Sequence, residues 1–266
     1  MVVIKIQDVI DVLMAPVGDI LGSIDKLIVG NPSSEVTGIA VTFIATHHVL
    51  EQAYHLGANL IIAHEGTFYS HTDSIQPHRG SDLVYNAKKQ FIDHNGLAIY
   101  RFHDYCHRYE PDIIMEGLIK ELGWQAFVTE QLPVATVITL PSCTVREVVE
   151  HVKKQLGIGA LRAVGDLTMT CERIGLLIGY RGGGELVIPM FDQHNLDLIL
   201  YGEGPEWETP EYVRDAIHMG QRKTLLVVGH LESEQPGMRL LADRIGALFP
   251  RIPVHFIPVK PVFHVV

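Results

Sequence analysis

The stretch Asn59-Leu60-Ile61-Ile62-Ala63, followed at once by His64-Glu65-Gly66, decides the reading of the fold. An almost wholly apolar run this short reads as a β-strand covered on both faces, the pattern of parallel sheets. Similar runs occupy 38–45, 97–102, 134–140, 174–180, 196–201, 223–229 and 253–258. Amphipathic stretches that read as helices lie between them, at 47–56, 81–94, 112–122, 144–156, 210–219 and 235–248. Ser81 and Thr144 stand where N-caps belong, and Thr209-Pro210 reads as an N-cap followed by proline at the first helical position. Glycines such as Gly57 and Gly157 come after helical stretches, as C-terminal stops do. The alternation predicts an α/β fold of mostly parallel strands with flanking helices.

From 127 to 189 the order becomes strand, helix, short strand, strand, after a proline-containing entry at Gln131-Leu132-Pro133. This predicts a smaller inserted α/β domain over 127–189. The main domain is then discontinuous, formed by 1–126 and 190–266.

The chain has 266 residues, 47% of them apolar and 20% charged, a balance that excludes disorder. Fifteen histidines stand against three cysteines. A disulfide scaffold and a four-cysteine zinc site are therefore excluded, whereas a site of His and carboxylates is open. Cys106, Cys143 and Cys171 are far apart and odd in number, which predicts reduced thiols and a cytoplasmic setting. The formal charge of −10 argues against non-specific nucleic-acid binding. Residues 1–11 mix apolar and charged side chains, and no apolar run spans a bilayer, so neither an address label nor membrane insertion is expected.

Histidines and acids recur just past the strand ends. His64-Glu65 comes directly after 59–63, and His103-Asp104-Tyr105-Cys106-His107 after 97–102. Gly202-Glu203-Gly204 comes after 196–201, and His230 with Glu234 after 223–229. The C-terminal strand edges of a parallel sheet share one side of the molecule, where α/β folds place ligands. Imidazole and carboxylate together suit Zn, Mn, Fe or Co. The i, i+4 spacing puts His230 and Glu234 on one helical face if the helix starts at the strand end. His103 and His107 share that spacing but read as a loop.

Other features read as ordinary structure. His47 and His48 fit an exposed first helical turn, His71, His78 and His94 the surface, and His151 a solvated helical face. Arg181-Gly182-Gly183-Gly184 lacks the full phosphate-binding pattern and reads as a turn. Cys106 reads as a spectator.

The four segments together resemble the GTP cyclohydrolase 1 type 2-like family of hexameric dinuclear-metal-centre proteins. The resemblance rests on Gly57-Ala-Asn-Leu-Ile-Ile-Ala-His64, Tyr100-Arg-Phe-His103, Leu198-Ile-Leu-Tyr-Gly202-Glu203, and Val228-Gly229-His230 with Glu234. It implies two intertwined α/β domains, a hexameric ring, and two divalent ions per chain. The implied ligands are His64, Glu65, His107, His230 and Glu234. His103 is either a further ligand or a residue that fixes one, with Asp104 as the neighbouring possibility. The family's usual His-His pair is His64-Glu65 here, and its usual His-x3-Asp is His103-x3-His107. One imidazole has become an acid and one acid an imidazole, so the formal ligand charge is preserved. A further histidine pair of the family aligns with Glu206 and Trp207.

These readings predict a metal-dependent hydrolase acting on a small molecule, with a purine nucleotide implied by the resemblance and Glu203 as proton shuttle. The rival expectations are a non-catalytic metal-binding assembly acting through a protein partner, and an α/β binding module without metal.

Overall fold

The structure is a computed structural model that describes residues 3–73 and 81–264. His78 lies outside the described residues. In chain order the elements are α1 (Ile6–Met14), β1 (Lys26–Val29), β2 (Ile39–Ile44), α2 (His47–His55), β3 (Leu60–Glu65), α3 (Leu83–His94), β4 (Ala98–Arg101), α4 (Asp104–His107) and α5 (Ile113–Glu121). They continue as β5 (Val128–Gln131), β6 (Thr136–Thr144), α6 (Val145–Leu156), β7 (Arg162–Val164), β8 (Thr170–Leu176) and α7 (Gly184–Gln193). The last are β9 (Leu198–Tyr201), α8 (Thr209–His218), β10 (Thr224–Val227), α9 (His230–Leu248) and β11 (Val254–Phe256).

Two compact units divide the chain, the first formed by Met1–Ile114 with Gly237–Lys260, the second by Met115–Pro236 with Pro261–Val266. The first unit is discontinuous, and the division falls at other positions than 127–189. The reading placed 190–266 with the main domain and confined the insertion to 127–189. Strand pairing explains the difference. β9 pairs in parallel with β8, with Ile174 opposite Leu198, and β10 pairs in parallel with β9. These apolar strands complete the sheet begun by β5 and β6, so the second unit runs on to Pro236.

The first unit's sheet has the order β1-β4-β3-β2-β11, parallel except where β1 meets β4. β2, β3 and β4 are buried almost throughout, as near-continuous apolar strands should be. Val49, Leu50 and Ala53 of α2 and Ile92 of α3 pack with Ile61 and Ile99 of the sheet. The second unit's sheet, β5-β6-β8-β9-β10-β7, is mixed, with β8, β9 and β10 parallel at its centre and antiparallel strands outside them. Its core joins Val187, Met190 and Phe191 of α7 to Ile199 and Leu225.

All eight expected strands form, with shifted ends. Sequence pattern missed β1 and β5, which are short, partly exposed and contain charged residues such as Lys26 and Glu130, whereas β7 lies where a short strand was expected after the 144–156 helix. It also missed α1, α4 and α7. Asp82 rather than Ser81 caps α3, accepting from the amides of Val84 and Tyr85. Thr144 caps α6 as expected, and its hydroxyl accepts from the Glu147 amide.

Candidate functional site

The expected strand-end residues do not share one sheet. His64-Glu65 and His103 end the adjacent parallel strands β3 and β4 of the first unit. Glu203 and His230 come after the adjacent parallel strands β9 and β10 of the second.

In the first unit the chain gathers three imidazoles. The rings of His64 and His103 stack with centroids 4.6 Å apart, and His107 meets each of them edge-on at 5.0 Å. One ring nitrogen of each lies within 4.8 Å of the others, the compactness a single cation needs. His64 is wholly buried. His103 and His107 were expected on a loop. They instead flank the four-residue helix α4, with His103 as its N-cap residue and His107 as its last residue.

Asp25 explains why that short turn holds. Its carboxylate accepts from the backbone amides of His103 (2.7 Å), Asp104 (3.1 Å) and Tyr105 (3.0 Å). Burial raises the Asp25 carboxyl's pKa, and those three amides work in the opposite direction. The residue lies 78 positions before His103 in sequence, and local pattern carried no signal for it.

A hydrogen-bond pattern runs through the histidines. Nδ1 of His64 donates to the Phe102 carbonyl (3.2 Å), that of His103 to Asp104 (2.9 Å), and that of His107 to Asp112 (3.0 Å). An oxygen acceptor on Nδ1 fixes the tautomer and leaves Nε2 with its lone pair, the arrangement of metal-binding histidines. Burial, then the neighbouring His64 and His107, push the His103 pKa down to about 4, so its ring is neutral at pH 7. A neutral, oriented imidazole cluster suits Zn, Mn, Fe or Co, and a divalent cation fits these residues.

Glu65 extends the cluster, with Oε1 3.7 Å from His103 Nε2. Its other oxygen, Oε2, lies 3.3 Å from Arg101 Nη2. Cys106 is buried, with Sγ 3.4 Å from His64 Nδ1 and 3.0 Å from the His103 carbonyl. His71 is exposed, although its ring stands 5.5 Å from that of His103.

In the second unit α9 begins at His230 itself, so the expected i, i+4 pairing with Glu234 is realised. His230 Nε2 lies 3.0 Å from Glu234 Oε2, and its Nδ1 donates to Glu203 Oε1 at 3.1 Å. Gly179 is packed against this pair. A Cβ there would run into Glu234 Oε1, and its φ of +57° already disfavours any other residue. The Ser233 hydroxyl accepts from the Gly179 amide (2.9 Å), tying the turn after β8 to α9. Sequence reading missed Gly179 and Ser233, because their role depends on strand order.

Arg181-Gly182-Gly183-Gly184, expected as a turn, instead leads into α7, with Gly183 as its N-cap and Gly184 as its first residue, and the Glu208 carboxylate accepts from the Gly184 amide (2.6 Å) where an external anion would sit. Glu206 pairs with Arg162, and Trp207 is 76% exposed. His47, His48 and His94 lie partly or largely in solvent. His151 differs from expectation: it is half-buried, stacks on Trp124 at 5.3 Å and bonds the Leu122 carbonyl, capping the C-terminus of α5.

Known proteins share this fold. A relative from Clostridium perfringens called GTP cyclohydrolase 1 type 2 homolog is 24% identical over 253 residues, 91% of each chain. The structure of a Bacillus cereus protein related to NIF3 superposes with a TM-score of 0.76 at 15% identity, covering all of both chains. The protein ybgI, described as of unknown function, superposes with a TM-score of 0.76 at 20% identity, over 97% of this chain and 99% of its own. The pattern of the Duf34/NIF3 (NGG1p interacting factor 3) family matches residues 17–262, and the chain belongs to that family.

Proposed function

We propose that the protein is a metal-dependent hydrolase holding two divalent ions per chain, drawn from Zn, Mn, Fe and Co. The ligand candidates are His64, Glu65, His103 and His107 of the first unit and His230 and Glu234 of the second. The observation that carries this reading is the imidazole cluster of His64, His103 and His107, compact and with every Nδ1 engaged by an oxygen. A bound pair of such ions supplies Lewis-acid activation of water near neutral pH. The chain's own residues do the rest. Asp104, Asp112 and the Phe102 carbonyl orient three rings. Glu203 orients His230 and is the carboxylate proposed to move a proton.

The name of the Clostridium perfringens relative supports a purine nucleotide as substrate. The family resemblance carried by the strand-end motifs supports a homohexamer, and three cysteines without a disulfide support a cytoplasmic setting.

The test is metal analysis joined to a panel of nucleotides, phosphoesters and cyclic amides. Hydrolysis should be lost with chelator and restored by one of the four metals. In Glu203→Gln the amide oxygen still accepts from His230, so metal content should stay intact while turnover falls by at least about 100-fold. Unchanged turnover removes Glu203 from proton transfer. Less than about one metal per chain after metal-replete purification overturns the metal site. A metal-loaded protein inert across the panel favours the non-catalytic assembly.

A further inference from the structure

Arg101 is 1% exposed, although a buried guanidinium is costly unless its N–H groups are matched. Here each arm has a partner. Nε donates to the His64 carbonyl (3.3 Å), Nη2 to Glu65 Oε2 (3.3 Å), and Nη1 to the His71 carbonyl. Nη1 also lies 3.8 Å from Asp73 Oδ2. Asp73 is held in turn, its Oδ1 accepting from the Phe68 amide (2.8 Å).

Sheet register brings these groups together. Arg101 is paired with Ala63 across β3 and β4. Glu65 lies two residues beyond Ala63, so its side chain leaves the strand on the same face. The guanidinium thus spans the end of β3 and touches two successive candidate ligands, one through its backbone and one through its carboxylate.

Resting on the metal-dependent function proposed above, we propose that Arg101 is a positioning residue that clamps Glu65. It occupies Oε2 and turns Oε1 toward the imidazole cluster, so that Glu65 meets a cation through one oxygen. The planar fork of arginine fits this task, since one lysine ammonium cannot serve the His64 carbonyl, the carboxylate and the Asp73 side together.

The test is a double-mutant cycle of Arg101→Met and Glu65→Ala in the full chain, read as Co(II) affinity from its visible absorption and from metal analysis. Arg101→Met should weaken Co(II) binding by about 10- to 100-fold, the loss typical of partners that orient a metal ligand. In the Glu65→Ala background the same change should have little further effect, because the carboxylate it acts through is gone. Equal losses in both backgrounds, or no loss in either, overturn the clamp. Should Arg101→Met fail to fold, Arg101→Lys keeps the charge but not the fork, and the same cycle is run with it. A wild-type protein that takes up no Co(II) overturns the metal reading itself. Uptake indifferent to Arg101 overturns only the clamp.

Discussion

Lys88 is 2% exposed, with its ammonium donating to the Thr67 carbonyl (2.6 Å) and lying 5.1 Å from the Tyr69 ring centroid. Burial pushes its pKa down to about 8, against partial support from Asp73. Below pH 8 folded and unfolded chains both carry the proton, and the burial penalty is present in full. Between about pH 8 and 10.5 the unfolded chain keeps a proton that the folded chain has shed, so stability rises with pH. Relative to Lys88→Met, the wild type should gain about 3 kcal/mol across that window in urea unfolding. A constant difference between the two proteins would show that the folded state does not depress this lysine. At this scale the sequence named His64, His103, His107, His230, Glu203 and Glu234 correctly as neighbours of strand ends. It did not name Asp25, Arg101 or Asp112, because a hydrogen-bond partner from another segment leaves no periodic trace.

The elements were most legible where burial is two-sided. β2, β3, β4, β9 and β10 are short apolar runs, and each formed close to where its pattern placed it. The edge strands β1 and β5 were not legible, since charged residues interrupt their short runs, whereas the edge strand β11 kept enough apolar character to be read. The helix α4 was illegible for another reason: four residues cannot sustain a helix alone, and the Asp25 carboxylate supplies the acceptors that its first amides need. Capping can be tested on α2, whose N-cap Thr46 accepts from the Val49 amide (3.2 Å). Thr46→Ala should cost about 1 kcal/mol, seen as a lower urea midpoint with an unchanged slope. An unchanged midpoint would mean that water replaces the cap at no cost.

For the whole molecule, the proposed hexamer sets a measurable mass. Six chains of 29.6 kDa amount to about 178 kDa by light scattering. A monomeric mass at micromolar concentration would overturn the ring. No helix among the described residues is long and apolar enough to cross a membrane. By itself the sequence determined the α/β class, the main helices and strands, and the residue types waiting at the strand ends, all consequences of local periodicity. Only the tertiary structure decided that those ends divide two and two between separate sheets. It also decided that the second unit reaches Pro236, and that Asp25, Asp112 and Arg101 hold the histidines and Glu65 in place. The reason is physical: periodicity records which face of a segment is buried, whereas strand order and long-range hydrogen bonds depend on which buried faces pack together.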